Sequence, residues 1–102
     1  MYRAGAERAE AETLAALDRV AERLELSGEA RSVAQELFLS ERPTADRSKD
    51  ALLAASIYAG SLIAGDQRSQ VAVAEAADVS RLTIQARWRE LLEEAGFETP
   101  SW

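Results

Sequence analysis

Apolar residues crowd one stretch of the chain, between residues 47 and 64. On a helical wheel, only Ser56 and Ser61 interrupt the apolar surface of this stretch, whose remaining positions are mostly alanine, leucine, isoleucine and tyrosine. A helix that is apolar on every side is a buried helix. The stretch is flanked by charged residues and is too short to cross a bilayer. We therefore predict that it forms a central helix, covered by other helices of the same domain.

One-sided apolar patterns before and after this stretch predict four more helices. Ser27 is a candidate N-cap for the second helix, Pro43 favours a loop over residues 40–46, and Gly65 and Gly96 are candidate C-terminal caps. The predicted helices cover approximately residues 6–24, 27–39, 47–64, 68–77 and 81–94. No strand pattern and no internal repeat is evident.

The predicted fold class is accordingly all-α, with five helices and a buried third helix. We assign residues 1–96 to a single domain and residues 97–102 to a C-terminal tail. The tail carries two aromatic residues, Phe97 and Trp102. Aromatic side chains are more often buried than exposed, so we expect both to pack back onto the domain.

Composition removes several classes of enzyme. The chain has no cysteine and no histidine, which excludes disulfides, thiol nucleophiles, Ser-His-Asp triads and the commonest zinc ligands. Paired carboxylates such as Glu93 and Glu94 fall on helical positions that solvent normally covers, whereas acid-base catalysis needs a cleft. We predict no catalytic residue, no metal and no cofactor, and a protein that is not an enzyme.

The distribution of charge along the chain is more informative about function than the net charge. A formal net charge of −6 argues against indiscriminate nucleic-acid binding, which depends on neutralising phosphates. Residues 68–89, however, contain four arginines against Glu75 and Asp78, a net charge of +2. Lys49 is the only lysine, so nearly all basic residues are arginine, and acidic residues are in excess. This composition is typical either of a halophilic proteome or of GC-rich coding. The N-terminal residues contain no apolar signal segment, so a cytoplasmic protein without a membrane segment is predicted.

The arginine-rich region has the layout of a helix-turn-helix over residues 68–94. In that motif the second helix enters the major groove and its first residues meet base edges. Arg81, Gln85 and Arg89 recur every four residues, opposite Ile84 and Trp88. Arginine matches guanine and glutamine matches adenine in the major groove, so Arg81 and Gln85 are candidate base readers. The candidate phosphate contacts are Arg87, Arg89, Ser69 and Gln70.

A plainer interpretation stays open at this point. Two short helices joined by a tight turn occur in many all-α domains that never touch DNA, and an arginine on an exposed helix is usually solvated.

Three segments resemble the cyclin-like repeat of the transcription factor IIB and archaeal transcription factor B family. VAEAADVSRLTIQARWREL (73–91) is similar to the end of such a repeat, where an A-E-x-A helix, a turn ending in Val-Ser/Thr and a T-I/V-x-x-R-aromatic-x-E-L helix follow one another. RSKDALLAASIYA (47–59) resembles the core helix of the repeat, and LELSGEARSVAQELF (24–38) resembles the segment before it. The resemblance covers residues 11–96 in order.

The resemblance implies a five-helix cyclin-like fold with the third helix at its centre, and it is closest to the second, helix-turn-helix-bearing repeat. Family members bind promoter DNA together with the TATA-binding protein. When the family's DNA-facing positions are carried over to this sequence, Ser80 and Thr83 join the candidates named above. Arg68, the first residue of the predicted helix-turn-helix, is also a candidate. The complete set of candidate DNA-binding residues is Arg68, Ser69, Gln70, Ser80, Arg81, Thr83, Gln85, Arg87 and Arg89.

The sequence departs from the family pattern in three ways. It holds one repeat, without a counterpart of the family's zinc ribbon or polymerase-engaging segment. Asp78 stands where the family usually has glycine, which is tolerable because aspartate enters the left-handed region more readily than most residues. Gln85 and Ala86 replace the usual Arg-Asn pair and remove one cation from the recognition helix, which predicts weaker or altered DNA binding.

The leading hypothesis is a single-repeat regulator or accessory of archaeal transcription initiation that binds double-stranded promoter DNA and is nucleoid-associated. A haloarchaeal source is one of the two explanations of its charge balance. The alternative is a protein-interaction module that docks on the TATA-binding protein or another factor without touching DNA. The chain is expected to be a monomer or a homodimer. A homodimer reading a palindrome would hold its two recognition helices about 34 to 36 Å apart.

Overall fold

A computed structural model describes residues 3–41 and 46–97, and the side chains of residues 11–40 and 49–97. The helices in these ranges are α1 (Arg3–Arg23), α2 (Gly28–Glu41), α3 (Asp46–Ile63), α4 (Gln70–Ala77) and α5 (Arg81–Glu94). The described residues contain no strand. The predicted five-helix, all-α class is therefore confirmed.

Helix α3 forms the centre of the domain. Every residue from 52 to 61 is buried, including Ser56 and Ser61, which are fully enclosed. Helices α2 and α5 make the most extensive contacts with α3, while α1 and α4 cover the remainder of its surface. The prediction of a buried central helix is confirmed. The helix is buried because it has no polar face wide enough to meet solvent.

Helices α2 and α3 cross at unusually close range. A Cβ atom built on Gly60 would lie 2.8 Å from the backbone nitrogen of Ala34 and 3.0 Å from its Cα atom. The side chain of Ala34 is fully buried in the same contact. Because the nearest atoms belong to the backbone of α2, no rotation of a side chain can relieve such a clash.

Three helix ends match their sequence signals. Ser27 Oγ accepts a hydrogen bond from the Ala30 amide at 3.1 Å, at the start of α2. At the end of α3, Gly65 has a φ of 73° and the Asp66 amide donates to the Ser61 carbonyl at 2.9 Å. Gly96 reverses the chain after α5 in the same way, with a φ of 89°. This is the glycine-dependent helix termination that the sequence predicts.

The predicted loop over residues 40–46 is too long. Ser40 and Glu41 still belong to α2, and Asp46 already belongs to α3. The hydroxyl of Ser40 donates to the Leu37 carbonyl at 2.9 Å, so the serine is accommodated inside the last turn of α2. Pro43 restricts only the residue before it, and Pro43 itself lies outside the described residues.

The prediction that the tail aromatics pack onto the domain is wrong for Phe97, which keeps 41% of its surface exposed. Its amide donates to the Leu92 carbonyl at 2.9 Å. This bond holds Phe97 at the end of α5, at the margin of the core rather than inside it. Trp102 lies outside the described residues.

We expect Gly60→Ala to lower the free energy of unfolding by about 1 to 3 kcal/mol, because the added methyl group forces α2 and α3 apart. Gly28→Ala is the matched control, since a Cβ atom there would meet nothing within 4 Å. Urea denaturation of both variants checks this. Equal stability of the two variants would contradict the proposed close contact.

Candidate nucleic-acid interface

Helices α4 and α5 are joined by Asp78, Val79 and Ser80, the three-residue turn that the sequence predicts. Asp78 adopts the left-handed conformation, with φ 58° and ψ 46°, and its amide reaches back to the carbonyls of α4. Ser80 then caps α5 by accepting a hydrogen bond from the Thr83 amide at 3.3 Å. The turn fixes the direction in which α5 leaves α4.

The buried side of α5 holds the helix against α3. Its buried residues are Ile84, Trp88, Leu91 and Leu92, which is the stripe that the sequence predicts. The Trp88 ring meets the Tyr58 ring of α3 edge-on, with centroids 5.4 Å apart and an interplanar angle of 79°. This T-shaped geometry is the favourable one for aromatic pairs, and it sets the rotation of α5 about its axis.

The side of α5 opposite this stripe carries Leu82, Ala86 and Glu90 and faces solvent. Arg81 and Gln85 are exposed, while Arg87 and Arg89 are partly buried. The Arg89 guanidinium lies over the Trp88 ring, 4.8 Å from its centroid, in a cation–π contact. Because Arg81 lies seven residues before Trp88, the two residues fall on the same side of the helix. Arg81, Gln85 and Arg89 therefore line one flank of the buried stripe rather than the side opposite it, and we call this flank the arginine edge. The last residue of the edge, Arg89, contacts the core tryptophan.

Sequence reasoning missed Leu82 on this surface. It is 67% exposed, more than either of the other large exposed apolar residues, Val71 and Phe97. Its position two residues before Ile84 places it on the far side of the helix from the buried stripe. That offset was the available signal, because the residue lies outside the i, i+4 series that marks the core.

The hydroxyls of Ser69 and Ser80 both serve as N-caps. Ser69 Oγ accepts from the Ala72 amide at 3.0 Å, and Ser80 Oγ lies 3.0 Å from Thr83 Oγ1. Gln70, the first residue of α4, is partly buried. These residues bring the amino ends of α4 and α5 to defined positions, and helix amino ends favour anions.

Arg68 has a role inside the domain. Its Nε donates to the Leu24 carbonyl at 2.9 Å and its Nη2 to the Glu25 carbonyl at 3.1 Å. Its Nη1 forms an ion pair with Asp66 Oδ1 at 2.7 Å. The guanidinium thus joins the α3–α4 connection to the end of α1, and it stabilises the segment that leads into α4.

Asp66 completes this clamp. Its Oδ2 accepts the Ser27 amide at 2.8 Å, at the start of α2. That backbone hydrogen bond, followed by the hydrogen bond from Arg68, holds the pKa of the Asp66 carboxyl below its usual value of 3.8. The clamp formed by Asp66 and Arg68 therefore ties the α1–α2 connection to the α3–α4 connection.

Among the residues that the structure describes, no group of three acidic side chains lies close enough to hold a metal ion. Within the same residues, no helix combines the length and the hydropathy needed to cross a bilayer.

Comparison with known proteins adds a family match to this geometry. The profile of the Transcription factor TFIIB repeat matches residues 7–94. A relative from Pyrobaculum islandicum, named Transcription initiation factor IIB, is 36% identical over 87 residues, which are 82% of this chain and 26% of the relative. A protein of the same name from Archaeoglobus fulgidus is 40% identical over 78 residues, 74% of this chain and 24% of the relative. The chain thus spans about a quarter of the length of these relatives.

Removing the Arg68 side chain should destabilise the fold, because carbonyl groups of the α1–α2 connection lose their donor. We expect Arg68→Ala to lower the free energy of unfolding by about 1 to 3 kcal/mol. Arg81→Ala, at an exposed position of α5, is the control and should stay within about 0.5 kcal/mol of the parent. Thermal and urea unfolding measure both, and a neutral Arg68→Ala would remove the structural role.

The Asp66 carboxyl should make stability depend on pH. Because its pKa is lowered in the folded state, its contribution is complete above the usual value of 3.8 and is lost as pH falls through the lower, folded value. Asp66→Asn abolishes this titration. Urea denaturation from pH 6 to pH 3 should therefore show the stability difference between parent and Asp66→Asn shrinking at acid pH, and a constant difference would contradict the contact.

Proposed function

We propose that this chain, which belongs to the transcription factor TFIIB repeat family, is a DNA-binding regulator or accessory of transcription initiation. Family membership supports a cyclin-like all-α fold and favours a role of the transcription initiation kind. The observation that supports DNA contact is the arginine edge of α5, where Arg81 and Gln85 are exposed beside the buried stripe. The relatives are named as initiation factors rather than enzymes.

In this proposal α5 is the recognition helix and lies in the major groove of promoter DNA. Arg81, at the first position of α5, is placed to read guanine, and Gln85 one turn later is placed to read adenine. Arg87 and Arg89 meet phosphates, together with the amino end of α4 at Ser69 and Gln70. Ser80 and Thr83 set the start of α5 beside the backbone of the duplex.

Arg68 has a different part in the proposal. Its guanidinium already donates to carbonyl groups of residues 24 and 25 and to Asp66. It therefore positions the amino end of α4 rather than contributing a cation to the DNA. In the proposal, the cations that face the DNA are Arg81, Arg87 and Arg89, and Arg89 also keeps its contact with the Trp88 ring.

The overall acidity of the chain favours a second candidate function, which is binding to another protein. A formal net charge of −6 opposes approach to the phosphates of DNA, whereas docking on a protein surface does not depend on neutralising phosphates. The second candidate is accordingly an interaction module for the TATA-binding protein or another initiation factor. A pull-down with purified initiation factors in the absence of DNA distinguishes this function from the first.

DNA binding is tested by fluorescence anisotropy on a duplex obtained by in vitro selection. We expect Arg81→Ala to cost about 1 to 3 kcal/mol of binding free energy, because a base-reading arginine is lost, and Arg87→Ala to reduce the salt slope by about 1. Arg19→Ala is the matched control, since it removes the same charge from α1, which makes no direct packing contact with α5 in the described structure.

A gain of function provides a second arm of the same test. Gln85→Arg restores the cation that the family pattern places there, so binding should strengthen and the salt slope should rise by about 0.9. No binding even at about 50 mM salt, or binding that Arg81→Ala combined with Arg89→Ala leaves unchanged, would refute the DNA-binding proposal.

A further inference from the structure

A groove lies on the side of the domain formed by α1, α3 and α4. Its volume is about 180 Å³, and its lining residues are Ala16, Arg19, Val20, Arg23, Asp50, Leu53, Ala76 and Ala77. No residue of α5 is among them, so the groove is separate from the arginine edge. Buried and half-buried apolar side chains, three of them alanine, form its floor, and the exposed charged side chains of Arg19, Arg23 and Asp50 form its rim.

The size of the groove limits what it can hold. Pockets for metabolites and cofactors usually measure about 300 to 1,000 Å³, so this groove is too small for such a ligand. It is adequate for one aliphatic side chain of a peptide. Ala16, Ala76 and Ala77 are short, which keeps the floor open to an inserted side chain rather than filling it.

The charges on the rim decide which peptide fits. Arg19 and Arg23 lie one turn apart on α1 and are both exposed. Nη1 of Arg23 donates to the Ala76 carbonyl at 2.9 Å, so its guanidinium is held in place beside the floor. A planar guanidinium binds a carboxylate through two parallel hydrogen bonds. The α1 side of the rim is thus prepared for a carboxylate.

Asp50 on the α3 side of the groove opposes a nucleic acid. It is exposed, and its carboxylate would repel the closely spaced phosphates of a DNA backbone. A peptide avoids this repulsion, because it can place its carboxylate at α1 and present a backbone N–H donor to Asp50.

From the groove's shape and charge we propose that it binds a short acidic segment of a partner protein. One aliphatic side chain of that segment sits on Ala16, Leu53 and Ala77, and a flanking carboxylate pairs with Arg19 and Arg23. The inference goes beyond DNA binding and uses none of the α5 residues. Because Ala76 and Ala77 end α4 directly before the turn, a bound segment contacts the helix that positions α5.

The test uses the full chain labelled with ¹⁵N and a short synthetic peptide that carries one leucine, with aspartate and glutamate residues on one side of it and glycine and serine residues on the other. We expect a dissociation constant on the order of 0.1 mM and shifts of the amide signals of Ala16, Leu53, Ala76 and Ala77. The signals of residues 81–89 should stay in place. Replacing the leucine by glycine, or the acids by their amides, should weaken binding about tenfold.

Matched variants locate the binding surface. Arg19→Gln should weaken peptide binding about three- to fivefold, as expected for an exposed charge pair. Arg81→Gln makes the same change of charge on α5 and should leave peptide binding unchanged. Ala77→Leu should abolish binding by filling the groove, and Ala16→Leu fills it independently if one of the two variants proves unstable in thermal melts.

Several results would overturn the proposal. These are an absence of shifts at the groove, equal binding of the leucine-free peptide, and equal loss of binding in Arg19→Gln and Arg81→Gln. Shifts of the same amides caused by duplex DNA, or by raising the protein concentration alone, would assign the groove to DNA or to a second copy. Failure of DNA binding in the anisotropy experiment leaves the peptide result unaffected, so the two proposals fail separately.

Discussion

The close packing of α2 and α5 on α3 is the constraint on which the other features depend. Gly60 allows the backbones of α2 and α3 to approach so nearly that a single methyl group would collide with Ala34. On another side of α3, the Tyr58 and Trp88 rings meet edge to face. A small-residue contact and an aromatic contact thus fix the helices around α3 by different means. Close packing of this kind defines one arrangement rather than a family of similar ones.

The polar contacts then order the connections between helices. Asp66 and Arg68 bind the amide of Ser27 and the carbonyls of Leu24 and Glu25. Glu25 itself adopts a left-handed conformation, with a φ of 55°, and this places its carbonyl toward Arg68. The α1–α2 connection and the α3–α4 connection are therefore held to one another, and α4 starts from a fixed point.

Much of the fold was predictable because its signals are local. The bounds of α5 match the prediction, since Ser80 is a strong N-cap and Gly96 a strong C-terminal signal. The error at Ser40 has an equally local cause: a serine near a helix end can bond the preceding turn and remain helical. The sequence therefore predicts structure correctly at most positions where neighbouring residues determine it.

The site was less predictable because its contacts join distant parts of the chain. The sequence predicts Arg68 as a DNA contact but does not reveal its bonds to carbonyl groups 43 and 44 residues earlier, because no local pattern indicates such a bond. The groove between α1, α3 and α4 has the same origin, since residues from 16 to 77 meet there only after folding. The DNA-binding role of the α5 residues remains a prediction from pattern and family.

The stack of Tyr58, Trp88 and Arg89 links the interior of the domain directly to its arginine edge. A substitution that tilts the indole ring would carry the guanidinium with it, although the altered residue never reaches the surface. Interior mutations near Tyr58 are therefore a route by which relatives of this domain can diverge in what they recognise while every outward-facing side chain stays the same.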